Sequence, residues 1–346
     1  MTTEEKLNLI YEIRESRQKD RVFELIEMLK NESEDIVKES LVEALKILKN
    51  EDAIEKLMEF FYSEDLYLRN AAVTILAEYG ELSISYLMKK LDDENEHVRK
   101  LAIDTIHMIR NPITVDILAK GLEDKSINNL ISVIEYIADL EGYHYSNKIA
   151  EILEESRDPF LTITCLEALS EIGDEYSLEV VKKKFPDPSK IDDFTLPAYM
   201  RFLASHATVE FLPFVIEVLN EKSEIFYKEL IDILERFVNM KNELSDSDVE
   251  KVYSALLKLL NTSIPSMNKY EVFGLIVELR GESAKDLILE MLNSNDFFIK
   301  MGALEAVGKL FKGNREIVEK LKNFLKREVN EELKMVARDI LEILDR

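Results

Sequence analysis

The sequence predicts an all-α solenoid, a right-handed α-α superhelix of about ten helical hairpins with a capping helix at the N-terminal end. One observation is a motif that returns about every 31 residues, in which aliphatic residues occupy positions 1 and 9, mostly small residues occupy positions 5 and 8, and Lys or Arg usually occupies position 2. A second is the composition, because only 9 Gly and 7 Pro accompany abundant Leu, Ile, Glu and Lys, which favour helix. The clearest copies of the motif span residues 37–45, 68–76, 98–106, 161–169 and 299–307.

Apolar residues at helical spacing, separated by short polar turns, predict each element in order. The pattern Thr2-x-x-Glu5 is typical of a capping box and predicts where the first helix begins. Asp, Glu, Asn and Ser residues in the turns supply N-caps for the later helices. The predicted pairs are residues 20–30 with 35–49, 52–62 with 66–79, 82–91 with 96–110, 112–123 with 127–140, 146–156 with 159–172, 175–185 with 194–205, 208–220 with 224–239, 246–260 with 268–280, 283–293 with 297–311, and 315–327 with 331–344.

Two segments interrupt the period within what is predicted to be a single solenoid over residues 1–346. Residues 185–194 contain two prolines, which cannot continue a helix. Residues 239–247 lengthen the next junction. These irregular junctions are either hinges or inert insertions, which loops tolerate well.

The chain is strongly acidic, with a net charge of −24. Such a charge disfavours nucleic acids, whose binding depends on Lys and Arg contacts to phosphates, and anionic membrane surfaces. The stretch from Lys309 to Arg346 differs, since ten Lys and Arg oppose eight Asp and Glu there, a net charge of +2. Nucleic-acid binding through this C-terminal repeat is therefore kept as an alternative, and it would use Lys320, Lys322, Lys326 and Arg327.

The sequence has no apolar run of the ~18 residues that a membrane span needs, and no N-terminal segment typical of a signal peptide. We therefore expect a cytoplasmic protein with no membrane partner. The single cysteine, Cys165, excludes an internal disulfide. Its place at a small, inward position of the repeat predicts a packed thiol rather than a reactive one.

The motif resembles that of HEAT repeats, and the best copy is Leu68-Arg69-Asn70-Ala71-Ala72-Val73-Thr74-Ile75-Leu76. The resemblance extends over nearly the whole chain. It implies that the small residue lets the paired helices approach closely and that the position-2 arginine bonds to an acidic residue of the turn. Applied to this sequence, it implies structural pairs between Asp65 and Arg69 and between Asp93 and Arg99.

The same resemblance implies that the second helix of each hairpin lines a concave groove, with position 7 facing the opening. Seven of the nine residues that can be assigned to position 7 are acidic, the exceptions being Thr74 and Arg201. Two interpretations stay open, a merely solvated helix face and a groove that attracts a basic partner. The acidic candidates are Glu43, Asp104, Glu135, Glu167, Asp232, Glu305 and Asp339.

No catalytic constellation is visible in the sequence. The four histidines lack the paired spacing of a zinc site, and no glycine-rich phosphate loop follows a predicted strand. We predict no metal, no cofactor and no enzymatic activity, and a scaffold that binds a protein or peptide, a basic one under the second interpretation above. A HEAT-like enzyme subunit such as a lyase is the other alternative.

Overall fold

The computed structural model describes residues 1–344, and the chain there forms twenty-one α-helices and no strand. Every helix that the periodicity predicts has a counterpart. The capping box is confirmed, since the Thr2 hydroxyl accepts from the Glu5 N–H at 3.2 Å and the Glu5 carboxylate accepts from the Thr2 N–H at 2.8 Å. The helices divide between two compact units, Met1–Lys184 and the part of the chain from Phe185 onward.

The first unit is a stack of helical hairpins. Its helices are α1 (Thr3–Glu15), α2 (Val22–Asn31), α3 (Asp35–Leu48), α4 (Ile54–Met58), α5 (Leu66–Tyr79), α6 (Glu81–Lys90), α7 (Glu96–Ile109), α8 (Thr114–Leu118), α9 (Ile127–Asp139), α10 (Ser146–Glu155), α11 (Pro159–Ile172) and α12 (Glu175–Lys184). The second helices α3, α5, α7, α9 and α11 pack side by side in chain order, and each also packs on the first helix of its own hairpin. Each hairpin therefore buries its apolar face against its neighbours.

The second unit repeats this arrangement. Its helices are α13 (Leu196–His206), α14 (Leu212–Lys222), α15 (Tyr227–Asn239), α16 (Asp246–Leu260), α17 (Ser266–Arg280), α18 (Lys285–Met291), α19 (Phe297–Leu310), α20 (Arg315–Arg327) and α21 (Glu331–Leu344). Helices α13, α15, α17, α19 and α21 pack in succession, and α14, α16, α18 and α20 each pack on the helix that follows them.

The first helices are less regular than the sequence predicts. After α4 the chain tightens into a 3₁₀ turn at Glu59–Tyr62, and after α8 it does so at Ala119–Glu123. Gly121 lies in the latter turn, where a Cβ atom would stand 2.6 Å from a Val133 methyl group. Glycine is therefore required at this point for α9 to approach the turn so closely.

The recurring motif positions form the core of both units. Ala72, Ala102, Cys165 and Ala303 all occupy position 5 and are fully buried. The small side chain at this position allows neighbouring helices to come close, which explains why the motif specifies it.

Tyr199 breaks this pattern, because a large side chain fills position 5 of α13. It is fully buried and packs edge-on against the rings of Phe185 and Phe214, with ring centroids 5.4 and 5.7 Å away. Its hydroxyl has no hydrogen-bond partner within the described residues. Burial raises the pKa of this phenol, so the group stays protonated and neutral.

The two predicted turn pairs of the position-2 arginines are corrected in part: the Arg69 side chain does not bond to Asp65, whereas the Arg99 side chain bonds to the backbone carbonyl of Asp93 rather than to its carboxylate. Arg69 donates to the backbone carbonyl of Ser63 at 2.7 Å, because the Asp65 carboxylate already caps α5 by accepting from the Tyr67 N–H. Arg99 donates to the carbonyl of Asp93 at 2.8 Å.

The carboxylate that pairs with Arg99 belongs to Asp124, in the turn of the next hairpin. The two bonds are 2.8 and 2.9 Å long, and the Asp124 side chain is only 4% exposed. Burial alone would raise the pKa of Asp124, but hydrogen bonds from Arg99, the Ser126 N–H and Asn129 outweigh it and lower the pKa. The motif arginine thus ties one repeat to the next.

That residues 185–194 and 239–247 are irregular junctions of the repeat stays a prediction. Residues 185–194 follow directly on the end of the first unit at Lys184 and contain a 3₁₀ turn at Pro188–Lys190. The segment 239–247 ends in the Ser245 N-cap of α16, whose hydroxyl accepts from the Asp248 N–H. That residues 1–346 form one solenoid stays a prediction. Nowhere in residues 1–344 is a helix both long enough and apolar enough to cross a membrane.

Candidate functional site

The candidate site is the exposed side of the second helices, where position 7 of each repeat lies. We call its acidic residues the acidic row: Glu43, Asp104, Glu135 and Glu167 in the first unit, and Asp232, Glu305 and Asp339 in the second. Positions 5 and 9 of the same helices are buried, apart from the half-buried Leu341 of α21, so position 7 lies on the side facing solvent. Five of the seven are exposed, and Asp104 and Glu167 are half-buried.

In the first unit, some members of the acidic row are already engaged by neighbouring side chains. Glu43 pairs with Lys46 of its own helix at 2.7 Å. Asp104 pairs with Lys100 and also accepts a 2.8 Å hydrogen bond from the Tyr136 hydroxyl of α9. These carboxylates therefore carry less uncompensated charge than the sequence indicates.

A second polar network lies beside Asp104 on α7 and α9. The His107 ring stacks on the Tyr136 ring, with centroids 3.8 Å apart and planes 5° from parallel. Asp139 accepts from His107 at 2.7 Å and from Arg110 at 2.8 Å. The hydrogen bond from His107 lowers the pKa of Asp139. Glu135, on the same helix, has no hydrogen bond or ion pair within residues 1–344.

In the second unit, Asp232 stands in a group of carboxylates. Partial desolvation raises the pKa of Asp232, and so do the charges of Glu271, Glu235 and Glu229. Glu271 is on α17, whereas the other three are on α15. In the described part of the chain none of the four is ion-paired. We call them the Asp232 group.

A cleft of about 420 Å³ opens beside Asp232, between α13 and α15, and Glu235 and Arg236 also line it. Arg236 forms no ion pair with these carboxylates in the described part of the chain, and its Nε donates to the Ala207 carbonyl at 2.8 Å. The carboxylates therefore present a local negative potential to solvent.

The other two members of the acidic row in the second unit differ in whether a neighbouring side chain bonds to them. Glu305 accepts from the Tyr270 hydroxyl of α17 at 2.6 Å, a bond that raises the pKa of the tyrosine. Asp339 is exposed and has no polar partner in the described chain. Position 7 of α17, which the sequence leaves unassigned, is Gly274, and a Cβ atom there would meet nothing within 4 Å.

Three groups of neighbouring aromatic residues, at 143–145, 226–227 and 297–298, do not form an exposed binding surface like the acidic row. Tyr143 is 56% exposed, but His144 and Tyr145 both bond to Asp116, at 3.0 and 2.9 Å. Phe226 is buried. Phe297 and Phe298 pack edge-to-face on each other and are half-buried.

The single cysteine is placed in the core. Cys165 is fully buried, and burial raises the pKa of its thiol to about 12. Within residues 1–344 no three His, Cys, Asp or Glu side chains lie together as metal ligands. What the acidic row can do chemically is attract cations and accept hydrogen bonds.

Comparison with known proteins bears on the fold. The crystal structure of Kap121p matches with a TM-score of 0.52 and 13% sequence identity, over 99% of this chain and 46% of that one. The chain thus spans about half the length of Kap121p, and the likeness confirms the helical solenoid fold. In all, 163 chains of solved structures match, whereas no curated protein sequence does.

The sequence itself carries a family signature. Residues 54–138, which run from α4 to α9, match the family model described as HEAT repeats. The same motif positions recur as buried positions in α3, α11 and α19, outside the matched segment. Residues 54–138 are thus similar to HEAT repeats, and the fold of the chain is a helical solenoid.

Proposed function

We propose that this protein is a non-enzymatic scaffold that binds a basic segment of a partner protein along the acidic row. A solenoid presents an extended surface made of one helix per repeat, a geometry suited to long segments rather than to small substrates. The observation that carries the proposal is the Asp232 group, four neighbouring carboxylates with no paired cation in the described chain. Their mutual repulsion is relieved when a cation binds.

The spacing of the helices indicates which conformation and which residue spacing of a bound segment would fit the acidic row. Packed helices lie about 8–10 Å apart, whereas an extended chain advances ~3.3 Å per residue. An extended segment that crosses the second helices therefore passes one helix about every three residues. A polyproline II segment has three residues per turn, so it would direct every third side chain to the same surface. A partner with Lys or Arg at every third position fits this row best.

Peptide binding tests that geometry. One peptide carries lysine at every third position between serine and proline, and a second has the same composition with its lysines in one block. Fluorescence anisotropy should show tighter binding of the periodic peptide, by about tenfold, or ~1.4 kcal/mol. Equal affinities would mean that only net charge is sensed and would contradict the proposed register.

Charge reversal locates the surface on the protein. In the first unit, Asp104, Glu135 and Glu167 are changed together to Lys, and loss of binding of the periodic peptide is expected. The matched control changes Glu55, Glu123 and Glu155 to Lys, because these exposed residues lie on the first-helix side of the same unit and have no ion-pair partner in the described chain. Retention of binding by the row variant, or equal loss in the control, contradicts the proposal.

A further inference from the structure

A cleft in the last two hairpins has the opposite electrostatic character to the acidic row. It has a volume of about 360 Å³ and lies between the turn that joins α18 to α19 and the C-terminal half of α20. Its lining includes three cationic side chains, Lys300, Lys320 and Arg327, and one carboxylate, Glu328. Around four other clefts in the described part of the chain, Asp and Glu side chains outnumber Lys and Arg side chains. We call it the cationic cleft.

The one carboxylate of the cationic cleft is already neutralised. Glu328 is 5% exposed and pairs with Lys300 at 2.6 Å. Its other oxygen accepts from the Val329 and Asn330 N–H groups, both at 2.9 Å. Burial would raise the pKa of Glu328, but these bonds outweigh it and lower the pKa, so the group stays ionised and fully satisfied. The cleft therefore has no free carboxylate to compensate the positive charges of Lys320 and Arg327.

The remaining lining groups are hydrogen-bond donors. Lys320 and Arg327 are exposed and have no ion-pair partner in the described chain, and they lie two helical turns apart on the same side of α20. The side-chain amides of Asn295 and Asn323 also line the cleft, and neither has a hydrogen-bond partner within residues 1–344. The Ser294 hydroxyl accepts from the Asp296 N–H, which leaves its own proton free to donate.

We propose that the cationic cleft binds a single phosphate monoester, as carried by a phosphorylated serine or threonine of a partner protein. Two unpaired cations and several neutral donors match the charge and the acceptor oxygens of one phosphate group. The site is separate from the acidic row and does not depend on the function proposed for it.

The same observations disfavour nucleic acid as the ligand. Nucleic-acid affinity comes from Lys and Arg contacts to many phosphates along a strand. Here Lys322 is paired with Glu319 at 3.2 Å, and neither Lys322 nor Lys326 lines the cleft. The chain as a whole has a net charge of −24 and therefore repels a long polyanion. One compact phosphate group is the anion that fits.

Calorimetric titration of the full chain with N-acetyl-phosphoserine amide tests the proposal, with N-acetyl-serine amide as the unphosphorylated control. Saturable binding of the phosphorylated compound alone is expected. The double variant Lys320→Gln/Arg327→Gln should weaken it by about tenfold or more, because both charge-assisted contacts are lost. Lys322→Gln/Lys326→Gln removes the same charge from the same helix outside the cleft and should change the affinity by less than about twofold.

Several results would overturn the proposal. Equal weakening in the two double variants would show diffuse charge rather than a site. Indistinguishable behaviour of the two serine compounds, or no saturation, would show that the cleft does not recognise phosphate. Competition by duplex DNA with a steep salt dependence would assign the surface to nucleic acid instead. Since all four substituted residues are exposed, far-UV circular dichroism should confirm that each variant is folded.

Discussion

Replacing Arg99 by methionine should destabilise the first unit by about 3 kcal/mol. Breaking a buried ion pair costs ~3–5 kcal/mol, since the remaining charge is left buried and unpaired. Asp124 is 4% exposed and would lose two bonds, whereas the Ser126 N–H and Asn129 continue to donate to it. The Arg99 side chain is 14% exposed, so water can reach part of the vacated site. The lower end of the range therefore applies.

Urea unfolding followed by far-UV circular dichroism measures this loss. Arg110→Met is the matched control, because Arg110 pairs with Asp139 at 2.8 Å but is 61% exposed, and such surface pairs are worth at most about 1 kcal/mol. Adding Asp124→Asn to Arg99→Met should recover part of the stability, since it removes the buried charge. Equal losses for the two arginine variants, or a double variant no more stable than Arg99→Met, would refute the reasoning.

Three further predictions concern other buried groups. Tyr199→Phe should leave stability unchanged or raise it by about 1 kcal/mol in urea unfolding, because the hydroxyl it removes is buried without a partner; a loss as large as that of Tyr199→Leu would contradict this. Cys165 should resist an aromatic disulfide reagent in the native protein and react in urea, and rapid native labelling would show that the thiol is accessible. Hydrogen bonds from Lys6 and the Glu34 N–H lower the pKa of Glu32 from 4.5 to about 2, so Glu32→Gln should cost stability at neutral pH, and the difference from wild type should shrink as the pH falls from 4.5 towards 2. A difference that is constant down to pH 2 would show that Glu32 is not held in this way.

The helices were predictable because the motif positions are the buried positions of the second helices. Positions 5 and 9 of each second helix face the stack in every repeat, so the same residue classes return at a fixed interval. The prolines of residues 185–194 predict an irregular junction, and the first compact unit ends at Lys184, directly before this segment. Propensity and spacing sufficed because each hairpin packs mainly on its immediate neighbours.

The partners of the motif arginines were not predictable in the same way. The motif describes residue types inside one repeat, whereas Asp124 lies 25 residues after Arg99, in the next turn. Asp65 is the acidic residue nearest to Arg69 in the sequence, but its carboxylate caps α5 instead. A turn carboxylate can satisfy either helix N–H groups or an arginine, and the sequence does not reveal which.

The sequence also did not predict which neighbouring groups contact the carboxylates of the candidate site. Position 7 identifies the acidic row, but the groups that hydrogen-bond to its carboxylates come from other positions: Tyr136 donates to Asp104, and Tyr270 donates to Glu305. The opposite holds for Asp232, where Glu271 of the adjacent second helix adds a like charge. Such contacts depend on how neighbouring helices are offset, a quantity that the repeat length alone leaves undetermined.

The polar side-chain contacts between hairpins show what the period means physically. Arg110 and Asp139 are 29 residues apart, Tyr136 and Asp104 are 32 apart, and Lys300 and Glu328 are 28 apart. Each of these bonds joins a repeat to the next one, so a substitution acts first on its own hairpin and on the adjacent ones. Stability then resembles a sum of local terms, and a surface on one hairpin can change with little cost to surfaces elsewhere. That independence allows one chain to carry an acidic row on its second helices and a cationic cleft in its last two hairpins.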